Sequence, residues 1–263
     1  MLVCGEALPL EAMDDAQLLI ELHKPNRRLG PGSETMTRQA LALSGLLGRP
    51  GLEVADLGCG TGASAVVLAE QLDVRITAVD LFPEFLDELQ RRAEGRGVAT
   101  RITTLAASFD ALPFEPESFD AIWSEGAIYN LGFEAGVKGW RSFLKPGGIL
   151  AVSEITWLTA ERPTELQAHW DREYPEIDRA SGKLAVLERH GFTPVGYFPL
   201  PASCWLEDYY RPLRARFPLF LEQNAHSAAA RACVAAEERE IALYERHSAH
   251  VSYGFYIARK SLE

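Results

Sequence analysis

The chain has 263 residues, 47% hydrophobic and 24% charged, enough to close a core without disulfides or a metal and expected to do so as a single domain. A formal net charge of -11 argues against surfaces built for phosphate backbones or anionic lipid, which need basic patches, so no nucleic acid and no membrane is expected as a partner. Cys4, Cys59, Cys204 and Cys233 show no metal-ligand spacing, Asp14, Asp15 and Glu21 interrupt the leading apolar stretch, and no run of about 18 apolar residues occurs; the expectation is a cytoplasmic protein with reduced thiols and no metal.

Ala12, Ala16, Leu19, Ile20 and His23 recur at helical spacing over 11 to 24. The loop KPNRRLGPGS follows, and Ser33 or Thr35 can cap a helix carrying Met36, Ala40, Leu43 and Leu47. From residue 52 the rhythm is strand, helix, strand, helix, the pattern of a parallel sheet covered on both faces. Strands are predicted at 53 to 57, 74 to 79, 101 to 106, 119 to 124 and 148 to 154, and helices at 63 to 72, 83 to 94 and 133 to 144. After Trp157 the pattern loosens: helices at 161 to 173 and 180 to 190, a proline-rich strand and loop region from 194 to 218, a helix at 222 to 246, and a final alternating strand at 251 to 259.

The stretch EVADLGCGTG, residues 53 to 62, joins the first strand to a helix through glycines at 58, 60 and 62. Glycine lets the backbone take positive φ and approach a ligand closely, and the helix start offers free N–H groups. Two readings compete for this loop. Gly60, Gly62 and Ala65 fit a dinucleotide fingerprint, with Asp80 twenty residues beyond Gly60. Asp56, however, puts a carboxylate where a pyrophosphate would approach, which suits an ammonium- or sulfonium-bearing ligand. Cys59 between the glycines reads as a packing residue.

With ITAVDLFPEFL around Asp80, ALPFEPESFDAIWS and FLKPGGILAVSE following in order, the segment from about 45 to 155 resembles the class I S-adenosylmethionine-dependent methyltransferases. SEGAIYNLGF and CWLEDYYRPL are similar to a bacterial small-molecule subgroup of type 11-like members. The resemblance implies an α/β, Rossmann-like three-layer sandwich with a seven-stranded, mainly parallel sheet and an antiparallel last strand. It divides the single domain into an N-terminal helical cap (1–50), a cofactor-binding core (51–157), a substrate lid (158–220) and a last helix and strand (221–263). It also implies that S-adenosyl-L-methionine is held by Asp56, Gly58, Gly60 and Gly62, by Asp80 on the ribose and by Leu81 beside the adenine. In place of the family's aspartate this chain has Ser108, followed by Phe109, whose N–H would face the adenine; Asp110 is the alternative if the loop register shifts.

Methyl transfer from a sulfonium needs positioning and exclusion of water more than catalytic groups. Candidates lie where the parallel strands end. Glu125 is read as orienting the methionine moiety or the acceptor and Glu154 as base or orienting group, with Tyr129 and Asn130 lining the pocket; each glutamate reads equally as a helix cap. Arg27 and Arg28 are candidates to close over the cofactor carboxylate, with Gly32 and Ser33 lending backbone groups, or are surface arginines. Trp157, Trp170, Tyr174, Trp205, Tyr209 and Tyr210 read either as core or as a cage for a cationic amine; His247 and His250 are conceivable bases or ordinary surface and core histidines. There is no NPPY-like tetrapeptide after strand four and no GxSxG elbow. The expected function is transfer of a methyl group to a small-molecule acceptor by a monomer or homodimer. The alternatives are a non-catalytic S-adenosylmethionine sensor and a nicotinamide-dependent oxidoreductase.

Overall fold

A strand buried on both faces belongs in the middle of a covered sheet, and β1 (Leu52–Leu57) has this pattern. Leu52 and Val54 pack into one hydrophobic cluster, Ala55 and Leu57 into another. The computed structural model describes residues 10–262, with side chains described from Gln17 onward; Cys4 and the side chains of Ala12 and Ala16 lie outside the described residues. The strands run in the order β3 (Ile102–Ala106), β2 (Val74–Asp80), β1, β4 (Phe119–Glu125), β5 (Leu144–Trp157), β8 (Val251–Lys260) and β7 (Phe192–Pro199). β1 to β5 pair in parallel, and β8 is antiparallel to both of its neighbours. The expected mainly parallel sheet with a reversed last strand is present. A two-residue strand, β6 (Asp178–Arg179), adds to the end of β5 at Thr156 and Trp157.

Three helices, α2 (Glu34–Ser44), α3 (Ala63–Gln71) and α4 (Pro83–Gly95), cover one sheet face, and α5 (Phe133–Trp140) and α7 (Ala180–Arg189) cover the other. In α4, Phe85, Leu86, Leu89 and Ala93 fall on one side and are buried, each large one contributing about 1.5–3 kcal/mol of burial. A third cluster joins α1 (Leu10–His23), α9 (Arg211–Gln223) and α10 (Ala228–His247) to Ile155, Trp157 and Val251 at the ends of β5 and β8. Strand order reverses between β1 and β4, so a crevice opens at their carboxyl ends, where ligands bind in open α/β sheets.

Several predicted boundaries move. α2 stops at Ser44 because Gly45 takes φ +72° as its C-cap, which leaves Leu47 outside the helix and 51% exposed. β5 reaches back to Leu144, with a register shift against β4 between Phe119 and Ala121. The expected loop after residue 199 is helical: α8 (Ala202–Trp205), one π-turn over Leu206–Tyr210, then α9. Pro212 falls in the first turn of α9, where its missing N–H costs nothing. Pro218 lies inside the helix and is tolerated because Leu213, Phe217 and Phe220 bury its face. α6 (Thr164–Glu173) and α10 begin later than predicted, the latter at the Ser227 cap. Among the described residues no helix is long and apolar enough to cross a membrane.

Candidate cofactor and acceptor site

Beyond β1 the chain turns through Gly58, Gly60 and Gly62 at φ +72°, +52° and +85°. There is no room for side chains. A Cβ at Gly58 would lie 2.2 Å from Ala127 Cβ, and one at Gly60 2.7 Å from Leu29 Cδ1. The loop is tied to β2: the Gly58 and Cys59 N–H groups donate to the Val79 carbonyl at 2.8 and 3.0 Å. The Asp80 carboxylate accepts from the N–H of Gly60 at 2.8 Å and of Phe82 at 3.1 Å. Each of its oxygens keeps a further lone pair, and Leu81 beside it is 43% exposed. A hydroxyl acceptor and an apolar platform are thus adjacent.

Asp56 has no exposed surface. Its Oδ2 accepts from the Ser64 hydroxyl at 2.7 Å, while Oδ1 has no partner. Burial pushes the carboxyl up to about 7, aided by the charges of Glu125 and Asp80 and opposed by Ser64 and Arg28. An unpartnered buried oxygen costs about 1–3 kcal/mol, which a ligand donor would recover. Burial likewise holds the Cys59 thiol well above its ordinary range, so Cys59 is no nucleophile at neutral pH.

Across the crevice Glu125 closes β4. Its Oε2 receives Arg28 Nη2, and its Oε1 accepts from the Thr37 hydroxyl at 2.7 Å and the Trp123 indole N–H at 2.9 Å. Arg28 is 8% exposed. Its guanidinium lies against Gly32, where a Cβ would come within 2.6 Å of Nη2. The 24–33 loop is held in place by Arg92 of α4, which donates to the carbonyls of Asn26 (2.7 Å) and Arg27 (2.9 Å) and to the Thr61 hydroxyl (2.8 Å). The structure therefore brings Arg28 into the site and leaves Arg27 on the surface, paired with Glu34 at 2.8 Å. Ser33 uses its hydroxyl to cap α2 through the Met36 N–H at 3.2 Å.

After β3, the Ser108 hydroxyl donates to Asp110 Oδ2 at 3.2 Å, so the two alternative registers meet at one spot. The Phe109 ring packs edge-on to Trp140 at 5.5 Å, and its Cζ comes within 3.1 Å of a Cβ placed on Gly58.

Glu154 is buried on the α7 side of the sheet, 3.4 Å from Lys183 Nζ, which also donates to the Glu176 carbonyl at 2.9 Å and stands 4.5 Å over the Phe133 ring. Burial pushes the Glu154 carboxyl up to about 7 against the pull of Lys183, and burial lowers Lys183. This carboxyl, expected as a base or an orienting group, faces Lys183 on α7. Tyr129 is half-buried in the single turn Ile128–Asn130, edge-on to Tyr174 at 6.3 Å. Burial pushes its phenol up to about 12, so it is a hydroxyl at neutral pH. Asn130 donates back to the Ala127 carbonyl at 3.0 Å and holds its own turn.

Trp157, Tyr174, Trp205, Tyr209 and Tyr210 are buried in the third cluster, with Trp170 packed against it. His247 meets Glu165 at 3.2 Å and His250 meets Thr159 at 2.9 Å; both serve the segment after β5 rather than the crevice. Ser64, Thr37, Trp123, Arg92 and Lys183 are the partners sequence reasoning missed. The contacts of Thr37, Arg92 and Lys183 join elements 29 to 88 positions apart, which no local pattern marks, whereas Trp123 stands two residues from Glu125 on the same strand and Ser64 eight residues from Asp56 across the glycine turn.

Residues 54–148 match a family model described as a methyltransferase domain. The chain is 31% identical over 143 residues to an uncharacterized protein of Haemophilus influenzae, covering 53% of this chain and 56% of that one. It is 29% identical over 141 residues to the 27-O-demethylrifamycin SV methyltransferase of Amycolatopsis mediterranei, covering 53% and 51%. The chain thus spans about half the length of these curated relatives. Among solved structures, a SAM-dependent methyltransferase from Geobacter sulfurreducens in complex with S-adenosyl-L-homocysteine superposes with a TM-score of 0.81, covering 92% of this chain and 97% of that chain at 20% identity, a likeness of fold.

Proposed function

From the chain's place in the class I S-adenosylmethionine-dependent methyltransferase family, we propose that it binds S-adenosylmethionine and transfers its methyl group to a small-molecule acceptor. The observation that carries this reading is the pair of acids around the glycine loop: Asp56 with a buried unpartnered oxygen and Asp80 at the end of β2. When bound, the cofactor supplies a methyl group on a sulfonium. Asp80 accepts from the ribose hydroxyls with the lone pairs its backbone donors leave, and exposed Leu81 packs on the adenine. Ser108, with Asp110, borders the adenine amino group, and Phe109 offers its N–H. Asp56 Oδ1 accepts from the amino group. Arg28 keeps N–H groups beyond the one on Glu125 and directs them to the carboxylate.

Glu125 is the positioning group for Arg28. Leu29 and the 24–33 loop exclude water from the crevice. Tyr129, neutral and close to the loop after β4, orients the acceptor, and Glu154 with Lys183 holds the elements behind that loop. The matched methyltransferase domain disfavours the nicotinamide reading. Calorimetric titration with S-adenosylhomocysteine and with NADH, followed by a screen of amines, phenols, alcohols and carboxylates for S-adenosylhomocysteine release, tests the proposal. Binding without turnover of any acceptor would favour the sensor reading, and no binding would overturn both.

A further inference from the structure

We propose that the acceptor is a small amine, methylated on nitrogen, held in an aromatic recess backed by carboxylates between the loop after β4 and helix α10. This deepens the methyl-transfer reading and rests on it.

The recess begins one residue from the donor site. Ala127 abuts the glycine loop at Gly58, and Gly126 carries the ring of Tyr253 so closely that a Cβ there would lie 2.8 Å from Cε2. Tyr253 and Tyr129 are half-buried and pack on the edge of the aromatic cluster formed by α1, α9 and α10. One ring thus stands against the short loop that touches the donor site, and a second, Tyr129, belongs to that loop. Deeper in, Tyr209 stacks on His23 with centroids 6.2 Å apart and rings 23° from parallel.

Behind the rings stand carboxylates. Glu240 accepts from the Tyr210 hydroxyl at 3.0 Å, and Glu237 lies 3.2 Å from His23 Nε2. Three positions apart on α10, they share one face of the helix. Trp205 packs edge-on to Tyr253 at 5.0 Å and lies 5.8 Å from the Tyr210 ring, whose hydroxyl reaches Glu240, so a continuous run of rings leads from Gly126 to the carboxylates. His23 is the cation-forming group beside these acids among the described residues, and it is paired with Glu237, while Glu240 is bonded to the neutral Tyr210 hydroxyl. Of the buried cations among the described residues, Arg28 and Lys183 are paired with Glu125 and Glu154, and Lys260 is bonded to the Leu144 carbonyl at the opposite end of the sheet.

Such surroundings repel an anionic acceptor and attract an ammonium through ring faces and carboxylates. The chemistry uses this twice. The amine lone pair forms the new N–CH3 bond as the S–CH3 bond breaks, its electron pair stays on sulfur, and any N–H proton of the resulting ammonium passes to solvent. Positive charge thus moves from sulfur to nitrogen in the transition state, and groups that attract a cation at the nitrogen stabilise that state more than the neutral amine.

The test uses the full chain loaded with S-adenosylhomocysteine, titrated calorimetrically with choline and with its neutral isostere 3,3-dimethylbutan-1-ol. Choline is expected to bind about tenfold more tightly than the isostere. Tyr129→Leu and Tyr253→Leu should lose that preference, while Tyr129→Phe and Tyr253→Phe, which keep the ring face, retain it. Equal affinity for the two probes, or no choline binding at millimolar concentration, overturns the amine assignment. S-adenosylhomocysteine affinity is measured separately: its absence in the unaltered chain overturns the methyl-transfer reading itself. If a leucine variant also loses S-adenosylhomocysteine, the comparison of the two probes on the unaltered chain decides.

Discussion

Arg28 and Glu125, 97 residues apart in the chain, form an ion pair with side chains 9% and 7% exposed. The pair joins the loop after α1 to the end of β4, the two sides of the crevice. A carboxylate that also holds Thr37 and Trp123 fixes its arginine more firmly than a lone surface pair, because little water competes for the charges.

Replacing Glu125 by Gln keeps hydrogen-bonding capacity toward Thr37 and removes the charge that orients Arg28. S-adenosylhomocysteine affinity should fall about tenfold, the scale of one charge-assisted hydrogen bond, and Arg28→Ala should fall at least as far. Calorimetry on both variants checks this, and an unchanged affinity in both would remove Arg28 from the cofactor site.

Asp56 must be ionised to receive a cationic amino group, and its carboxyl is held at about 7. Cofactor affinity should therefore rise by about tenfold from pH 6 to pH 8, as the ionised fraction grows through that value. Asp56→Asn should give weaker binding with a flat profile. A titration series over this range reads both.

The same shift fixes a pH dependence of stability. The carboxyls of Asp56 and Glu154 move up from 3.8 and 4.5 to about 7, so between roughly pH 4 and 7 the folded chain binds more protons than the unfolded one. Their contribution to stability declines as pH rises through that window and is level above it. Urea unfolding at pH 5 and pH 8 should show a smaller difference for Asp56→Asn than for the parent chain.

Lys183→Met leaves Glu154 buried without its counter-charge. A loss of about 3 kcal/mol is expected at pH 8, shrinking at pH 5, where Glu154 takes up a proton instead. Thermal or urea unfolding at the two values separates this from a simple packing defect, which would not depend on pH.

Gly58→Ala sets a Cβ 2.2 Å from Ala127 Cβ at φ +72°. The clash and the left-handed backbone together predict about 2–4 kcal/mol of destabilisation and loss of S-adenosylhomocysteine binding. Gly97→Ala, also at positive φ but with open space around it, should cost only about 1 kcal/mol and leave binding intact.

Much of this was legible in the chain itself. Short apolar runs around Val54, Ile76 and Ile122, separated by helical stretches, specify a parallel sheet covered on both faces, because a strand that leads into a crossover helix is buried from both sides. Glycines at 58, 60 and 62 announce a left-handed turn, since only glycine takes that backbone at no cost. Asp56, Asp80 and the LPF and KPGG segments sit at fixed offsets from that turn, and a local spacing survives into the fold unchanged. The region after Trp157 was less legible. Pro212 and Pro218 read as loop, yet burial of Leu213, Phe217 and Phe220 outweighs the one missing hydrogen bond inside the helix.

What the sequence alone determined is the class of sheet, the glycine turn and the acids that flank it, because each depends on residues within a few turns of one another. The tertiary structure decided which arginine enters the crevice, that Glu125 is tied to Arg28 and Thr37, that Glu154 faces Lys183 rather than open space, and that Tyr253 stands beside Gly126. Those facts are set by packing between elements 29 to 127 positions apart. A side chain's partner at that separation follows from how helices and strands stack, which no local periodicity records.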